Sequence, residues 1–279
     1  MHTYALTEVF NNHSGQSGMC RLAAYLGPEI LLERFLTAPS HSLVVQAYAP
    51  KELKFAKLNA DGFGFAWFDA TNTTSRYVNA MPIWSDINLP SLARSLQSRL
   101  WIASVRSATP GFASGAMNTH PFCTGGYCYT HNGYLDHFGE RARPALIREL
   151  RAEVTTDLCG NTDSEYLFAL LRHLRLERPE YSMEAIIAEA FERVAHWQAG
   201  ATALLNIAIS DGQTLYATRH AVNGESPSLY FNIAAAEFPA GSQLLASERL
   251  TPADPNWQAV PDHHILVMTE HAEPRLIAL

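Results

Sequence analysis

Met19-Cys20-Arg21-Leu22-Ala23-Ala24-Tyr25-Leu26-Gly27-Pro28 is the stretch on which the reading of this chain turns. It is an apolar run closed by a Gly-Pro breaker, which predicts a buried strand, and Pro28 is well placed at the first turn of a helix expected through about residue 36. Ahead of it lie 18 residues, MHTYALTEVFNNHSGQSG, polar and turn-prone, with neither helical nor strand periodicity. They have no basic n-region, no apolar h-region and no small-residue cleavage box, so they do not read as a secretory signal. The strand therefore opens on a cysteine that directly follows a methionine. If Met19 is the initiator, an aminopeptidase removes it, because the next side chain is small, and Cys20 gains a free α-amine. Such a residue carries its own base: the amine titrates near about 7.7–8.0 and the thiol near about 8.5, so a proton passes between them easily at neutral pH. An ordinary core cysteine after an internal methionine is the alternative, and Cys20 alone does not separate the two.

The whole chain has 279 residues, 47% of them hydrophobic and 17% charged, with a net charge of −7. This excludes a disordered chain and fits one large domain or two small ones. The 20 Lys and Arg residues are too dispersed for a nucleic-acid surface. No apolar run approaches the ~20 residues of a membrane helix, so a soluble, cytoplasmic protein is expected. Downstream of the first strand, residues 62–68 and 76–84 read as strands, 89–100 as an amphipathic helix and 101–106 as a strand. FCTGGYCY, residues 122–129, reads as a hairpin about its Gly-Gly pair. Helical spacing marks residues 144–154, 163–174 and 183–197. Strands return at 202–210 and 214–219, flanking Asp211-Gly212, and at 229–233, 243–246, 265–269 and 275–279. The order strands, helices, strands predicts an α+β domain with layered, largely antiparallel sheets, not a doubly wound parallel one.

Four cysteines occur. Cys123 and Cys128 lie in the hairpin with no second pair at zinc spacing, so they read as reduced thiols packed as small hydrophobes; Cys159, in a loop, reads likewise, and neither metal nor cofactor is expected. Arg106 ends an apolar strand just before a Pro-Gly turn, where it can hold a carboxylate bidentately or make a surface salt bridge. Asn132-Gly133 offers a side-chain amide beside an unhindered N–H, which suits an oxyanion hole and equally a tight turn. Asn161-Thr162-Asp163-Ser164-Glu165 opens a helix, with Thr162 or Asp163 as its cap. Together these groups match a γ-glutamyl amide, which presents a carboxylate, an ammonium and a neutral amide.

MCRLAAYLG, VRSATPG, NTHPF, THNGYL and NTDSE, in this order, resemble the class II glutamine amidotransferases, whose glutaminase domain has the N-terminal-nucleophile hydrolase fold. HSLVVQAYAP, NADGFGFAWF, PIWSD and the late LLASERL, DPNW and VPDHH look most like one branch, the EgtC-like γ-glutamyl amidohydrolases of ergothioneine biosynthesis. The resemblance runs from Met19 nearly to the C-terminus. It implies a four-layer αββα sandwich with two stacked, largely antiparallel sheets, formed by a single type-2 amidotransferase domain over residues 20–279. Carried over, it implies Cys20 as nucleophile, its α-amine as base and then acid, and Asn132 and Gly133 as oxyanion donors. Arg106 would bind the α-carboxylate and Asp163 the α-ammonium. Asp61 and Gly62 fall in a loop over the substrate, or else in a glycine-rich turn entering a strand. His41 and Trp84 match an outer pocket by motif position; His120 and His131 read as structural, since the amine serves as base.

The implied reaction cleaves a γ-glutamyl amide, γ-glutamyl-hercynylcysteine S-oxide in that branch, through a γ-glutamyl thioester, releasing glutamate and an amine. Two other readings stand: a glutaminase subunit handing ammonia to a partner synthase, and a catalytically silent binding scaffold. The expected partner is a small γ-glutamyl molecule, with an ammonia-accepting synthase under the second reading, and neither nucleic acid nor membrane. As written, Cys20 is blocked by Met19, so residues 1–19 are expected to be absent from the working enzyme, through a start at Met19 or removal of a propeptide. The first is favoured, because processing does not require a methionine there. N-terminal sequencing of the protein from its native host is expected to read Cys20 first. A stable, active product still carrying His2 would overturn both routes.

Overall fold

The computed structural model describes residues 19–53, 58–107 and 115–279. The leader, residues 1–18, and residues 108–111 of the VRSATPG motif lie outside them. The first strand, β1 (Arg21–Leu31), runs past the Gly-Pro pair expected to end it. Its register slips between Leu26 and Ile30, so Gly27 and Pro28 form an irregularity that the strand absorbs. The Tyr25 hydroxyl donates to the Pro28 carbonyl at 2.6 Å across it. A side chain at Gly27 would lie 2.9 Å from the Ser242 backbone, which is why glycine stands there. Helix α1 (Leu32–Leu36) therefore starts later than Pro28 suggests.

The chain continues through α2 (Leu43–Tyr48), β2 (Phe63–Phe68), β3 (Thr74–Asn79), α3 (Leu89–Ser95), β4 (Gln97–Val105), β5 (Phe122–Thr124) and β6 (Tyr127–Leu135). Four helices follow: α4 (Ala142–Glu149), α5 (Ala152–Thr155), α6 (Asp163–Glu177) and α7 (Met183–Gln198). The last third is β7 (Ala203–Ser210), β8 (Thr214–Arg219), β9 (Ala221–Val222), β10 (Tyr230–Asn232), β11 (Gln243–Ala246), β12 (Gln258–Ala259), β13 (His264–Thr269) and β14 (Arg275–Ala278). The helix expected over 89–100 stops at Ser95, because from Gln97 the burial alternates and β4 begins. The strand expected over 76–84 ends at Asn79, before Pro82 leads into a short turn of 3₁₀ helix. The helix expected over 144–154 is two, parted at Leu150, whose backbone is extended.

Among the described residues one sheet has the order β12-β10-β11-β1-β4-β2-β3 and the other β14-β13-β8-β7-β6-β5, with β9 beside β7. Each strand pairing described is antiparallel. Two-residue alternation sorts the side chains into three apolar layers. On β1, Leu22, Ala24 and Leu26 face the second sheet, where they meet Ala208, Leu215, Ala217 and Leu266. Ala23 and Tyr25 face the other way, against Phe35, Leu36 and Leu43 of α1 and α2. Helices α4 to α7 cover the outer face of the second sheet, with Phe168, Leu171 and Ile187 packed on Tyr129, Leu205 and Ile207. The result is the expected four-layer αββα sandwich.

Close packing around β2, next to the edge strand β3 of the first sheet, leaves no room at Gly64. A Cβ there would fall on the His120 carbonyl oxygen and lie 2.7 Å from that of Tyr77. Gly64→Ala is expected to destabilise the fold by about 1–3 kcal/mol, read as a lower urea midpoint at unchanged slope. An unchanged midpoint would show that the strands can part there freely.

Candidate active site

The pairing of β1 with β4 sets Arg21 opposite Val105. Continued by one residue, it sets Cys20 opposite Arg106, both on the face that looks toward the second sheet. There Cys128 of β6 faces the shared layer, so Thr130 and Asn132 do too. Cys20 is buried, its Sγ 4.0 Å from the Ser107 carbonyl oxygen. Burial pushes its thiol up, against the pull of the Ser107 backbone and the Arg106 and Arg21 guanidiniums, while Asp163 adds to the rise. The thiol is therefore neutral at rest and needs a base to react.

Arg106 is buried and ties the NADGFG loop to the end of β4. Its backbone N–H donates to the Gly62 carbonyl at 2.8 Å, the Asp61 N–H donates to the Arg106 carbonyl at 3.0 Å, and its Nη1 donates to the Asp61 carbonyl at 3.4 Å. These bonds prolong the β2–β4 ladder and set Asp61 and Gly62 beside the guanidinium. Gly62 has φ +120°, and a Cβ there would lie 2.9 Å from Thr119 Oγ1.

Asn132 and Gly133 are not a turn. They lie within β6, opposite Asn206 and Leu205 of β7. The Asn132 Nδ2 donates to Ser247 Oγ at 3.3 Å, while its buried Oδ1 has no partner among the described residues. Strand β5 covers β6 only as far as Tyr129. Farther on, the Leu135 N–H leaves that edge to donate to Asp163 Oδ2 at 2.8 Å. Because N–H groups two residues apart point the same way, the Gly133 N–H projects from the same edge. A side chain at Gly133 would fall on the Leu204 carbonyl and lie 2.6 Å from His131 Nε2.

Helix α6 begins beside that edge, capped by Thr162, whose Oγ1 accepts the Glu165 N–H at 3.2 Å. Asp163 is its first residue; the Ser164 N–H donates to Oδ1 at 2.7 Å. His131 donates from Nε2 to the Leu204 carbonyl at 2.8 Å, so its Nδ1 accepts the Ser164 hydroxyl at 2.9 Å. Burial lowers the His131 pKa, outweighing Asp163 and the Leu204 carbonyl, and keeps the ring neutral. His120 is also neutral: burial drives it well down, helped by His131 and Arg106. Asn118 and Asn161 exchange two hydrogen bonds, at 3.0 and 3.1 Å, which join the NTHPF and NTDSE segments.

Two residues that sequence reasoning passed over support this mouth: Ser247 and Glu248, directly after β11. Ser247 exchanges bonds with Leu22, two residues from Cys20: its Oγ accepts the Leu22 N–H and its N–H donates to the Leu22 carbonyl, both at 2.9 Å. Glu248 faces the opposite side of the sheet. Its Oε2 lies 2.7 Å from His41 Nε2 and accepts the Lys51 N–H at 2.8 Å; its Oε1 accepts the Glu52 N–H at 3.1 Å. The Arg21 Nε lies 3.1 Å from Oε1, off the line that a hydrogen bond needs. His41, matched by motif to an outer pocket, is instead buried in this cluster. Trp84 is exposed, edge-on to Tyr48. The signal for Ser247 and Glu248 was a polar pair closing the apolar run Leu244-Leu245-Ala246. A cavity of about 650 Å³ opens beside Met19, lined also by Lys51, Glu52, Tyr134, Leu204 and Arg219.

Residues 37–275 match the family pattern of the class-II glutamine amidotransferases. A γ-glutamyl-hercynylcysteine sulfoxide hydrolase of Mycolicibacterium smegmatis is 33% identical, over 89% of this chain and 95% of the relative. A probable glutamine amidotransferase of Saccharomyces cerevisiae is 28% identical, over 90% of this chain and 82% of its own. Among solved structures, a glutamine aminotransferase class-II domain protein from Silicibacter pomeroyi superposes with a TM-score of 0.68 at 27% identity, covering 93% of this chain and all of that one (100%). The glutamine phosphoribosylpyrophosphate amidotransferase of B. subtilis superposes with a TM-score of 0.61 at 13% identity, over 93% of this chain and 49% of that one, a likeness of fold.

The Glu248 cluster makes its own prediction. Burial alone would raise this carboxyl; His41, the Lys51 N–H, Arg21 and the Glu52 N–H outweigh it and hold it below the usual range. A depressed folded pKa contributes stability that is full above the unfolded value of about 4.3 and lost as pH falls through the folded one. Glu248→Ala leaves Arg21 buried without its counter-charge and is expected to cost about 3–5 kcal/mol at pH 7. The gap to wild type, measured by urea unfolding, should narrow below about pH 5. A gap independent of pH would assign the loss to packing.

Proposed function

The chain belongs to the class II glutamine amidotransferases and is an amide-hydrolysing enzyme, and from that premise we propose that it cleaves a γ-glutamyl amide with Cys20 as an N-terminal nucleophile. The observation that carries this reading is the register that makes Cys20 and Arg106 cross-strand neighbours, with Asn132 facing the same layer. Two of the curated relatives named γ-glutamyl-hercynylcysteine sulfoxide hydrolases support the substrate: a γ-glutamyl conjugate of that kind, cleaved to glutamate and an amine.

In this mechanism, loss of residues 1–19 frees the Cys20 α-amine. Arg106 holds the α-carboxylate of the glutamyl group and Asp163 its ammonium, with Asp61 and Gly62 against the same end. The amine takes the thiol proton, and the thiolate attacks the γ-carbonyl carbon. Negative charge on the oxygen is met by the Asn132 amide and by the Gly133 N–H, which projects from the open edge of β6. The tetrahedral intermediate collapses as the α-ammonium returns its proton to the departing amine, leaving a γ-glutamyl thioester. Water, activated by the same amine, then releases glutamate. The cavity beside Met19 offers the departing amine a way out.

A substrate panel tests the reading on protein whose first residue is Cys20. Turnover of γ-glutamyl thiol-histidine conjugates is expected to exceed that of free glutamine by far. Glutamine hydrolysis stimulated by a separate synthase would replace this reading with ammonia delivery, and no covalent adduct with a glutamine-like diazo ketone would point to a silent scaffold. Asn132→Ala removes one oxyanion donor and is expected to lower kcat by roughly 10²–10³. Near-normal turnover in that variant would remove Asn132 from the chemistry.

A further inference from the structure

The hairpin of β5 and β6 turns through Gly125 and Gly126, both at positive φ, +60° and +79°. That two-residue turn fixes Thr124 opposite Tyr127, Cys123 opposite Cys128 and Phe122 opposite Tyr129. The pair flanking such a turn exchanges hydrogen bonds, so the next pair, the two cysteines, is a non-hydrogen-bonded one. The parity that sends the Leu135 N–H away from β7 agrees, because it turns the Cys128 N–H toward β7. Non-hydrogen-bonded pairs have Cα atoms about 4.5 Å apart, within the about 4.4–6.8 Å that a disulfide spans. The two Sγ atoms are 2.7 Å apart, and both thiols are free. A shared zinc ion would hold each sulfur about 2.3 Å from itself and spread them much wider, so the geometry suits a bond between the sulfurs and not a metal between them.

Access to the two thiols is unequal. Cys128 is fully buried, whereas Cys123 is half-buried and lines a cavity of about 300 Å³. Arg76 and Arg172 line the same cavity, as do the carboxylates of Asp157 and Glu165. Exposed Cys159 also reaches it.

We infer that Cys123 and Cys128 are a reversible dithiol–disulfide site, oxidised by hydroperoxides with Cys123 reacting first and Cys128 completing the bond. The Cys123 thiolate attacks the outer peroxide oxygen, the O–O bond breaks, and the alkoxide leaves as the alcohol, giving a sulfenic acid at Cys123. The Cys128 sulfur then displaces that hydroxyl; the S–S bond forms, and the hydroxyl leaves as water with the Cys128 proton. Both thiols are oxidised and the hydroperoxide is reduced, so no further reactant is needed. The bond ties β5 to the strand that carries Asn132 and Gly133, and it draws on no group of the proposed hydrolysis.

The test uses the reduced full chain, freed of reductant and treated with equimolar hydrogen peroxide. Two of the four thiols are expected to disappear, with a mass lower by two hydrogens, restored by dithiothreitol. Peptide mapping is expected to join Cys123 to Cys128. Cys128→Ser is expected to leave a sulfenic acid at Cys123 that dimedone traps, and Cys159→Ser to leave the bond unchanged. Survival of all four thiols, or a bond from Cys123 to Cys159, would overturn the inference. Should Cys128→Ser fail to fold, the map of the unsubstituted chain decides alone.

Discussion

Because side chains along a strand alternate between its faces, the pairing of Arg21 with Val105 does more than join β1 to β4. It fixes which way Cys20 and Arg106 point. A slip of one residue would turn Cys20 out toward α2 and carry Arg21 into the apolar layer between the sheets. The bonds that Ser247 makes to Leu22, one between main chains and two through its hydroxyl, hold this register from the β11 side. The same hydroxyl accepts the Asn132 amide, so the strand that begins beside Cys20 and the strand that carries Asn132 and Gly133 share one anchor.

The two faces of the first sheet solve different electrostatic problems. On the inner face, burial keeps the Cys20 thiol neutral against the pull of the Arg106 guanidinium, and nearby in the second sheet burial likewise keeps His131 uncharged. On the outer face, Arg21 is buried beside Glu248, a pair whose desolvation is offset by His41 and two backbone N–H groups. Those N–H groups belong to Lys51 and Glu52, which line the cavity beside Met19. The shape of that cavity thus depends on a carboxylate that faces away from it.

How much of this was legible in the sequence depends on how local the determining physics is. The Gly-Gly hairpin, the α6 start after Thr162 and the strand opening at Cys20 are set by neighbouring residues, and each stood out. The stretch 89–100 did not, because residues up to Ser95 and from Gln97 are both amphipathic and only the change of period separates them. Gly27-Pro28 misled because a breaker in isolation becomes an absorbed irregularity when Tyr25 and Ser242 pack around it. The motifs pointed to Cys20, Arg106, Asn132 and Asp163 as a group. Ser247 and Glu248 were illegible in these terms, since their meaning lies in contacts to residues far away in the chain, from the Ser247 bond with Asn132 (separation 115) to its bond with Leu22 (separation 225).

Among the described residues, the early end of β5 leaves the edge of β6 from Thr130 onward without a strand partner. An unpaired edge is the part of a sheet that other chains can join, and natural proteins commonly blunt it with charge or cover it with a helix. Here both devices come from one residue: Asp163 brings the first turn of α6 over the edge and takes the Leu135 N–H with its carboxylate. Among the described residues Gly133 lies between that bond and the end of β5 with no strand beside it, an opening that suits a single oxygen atom more than a second strand. The opening at Gly133 is therefore narrow enough to keep the sheet from growing.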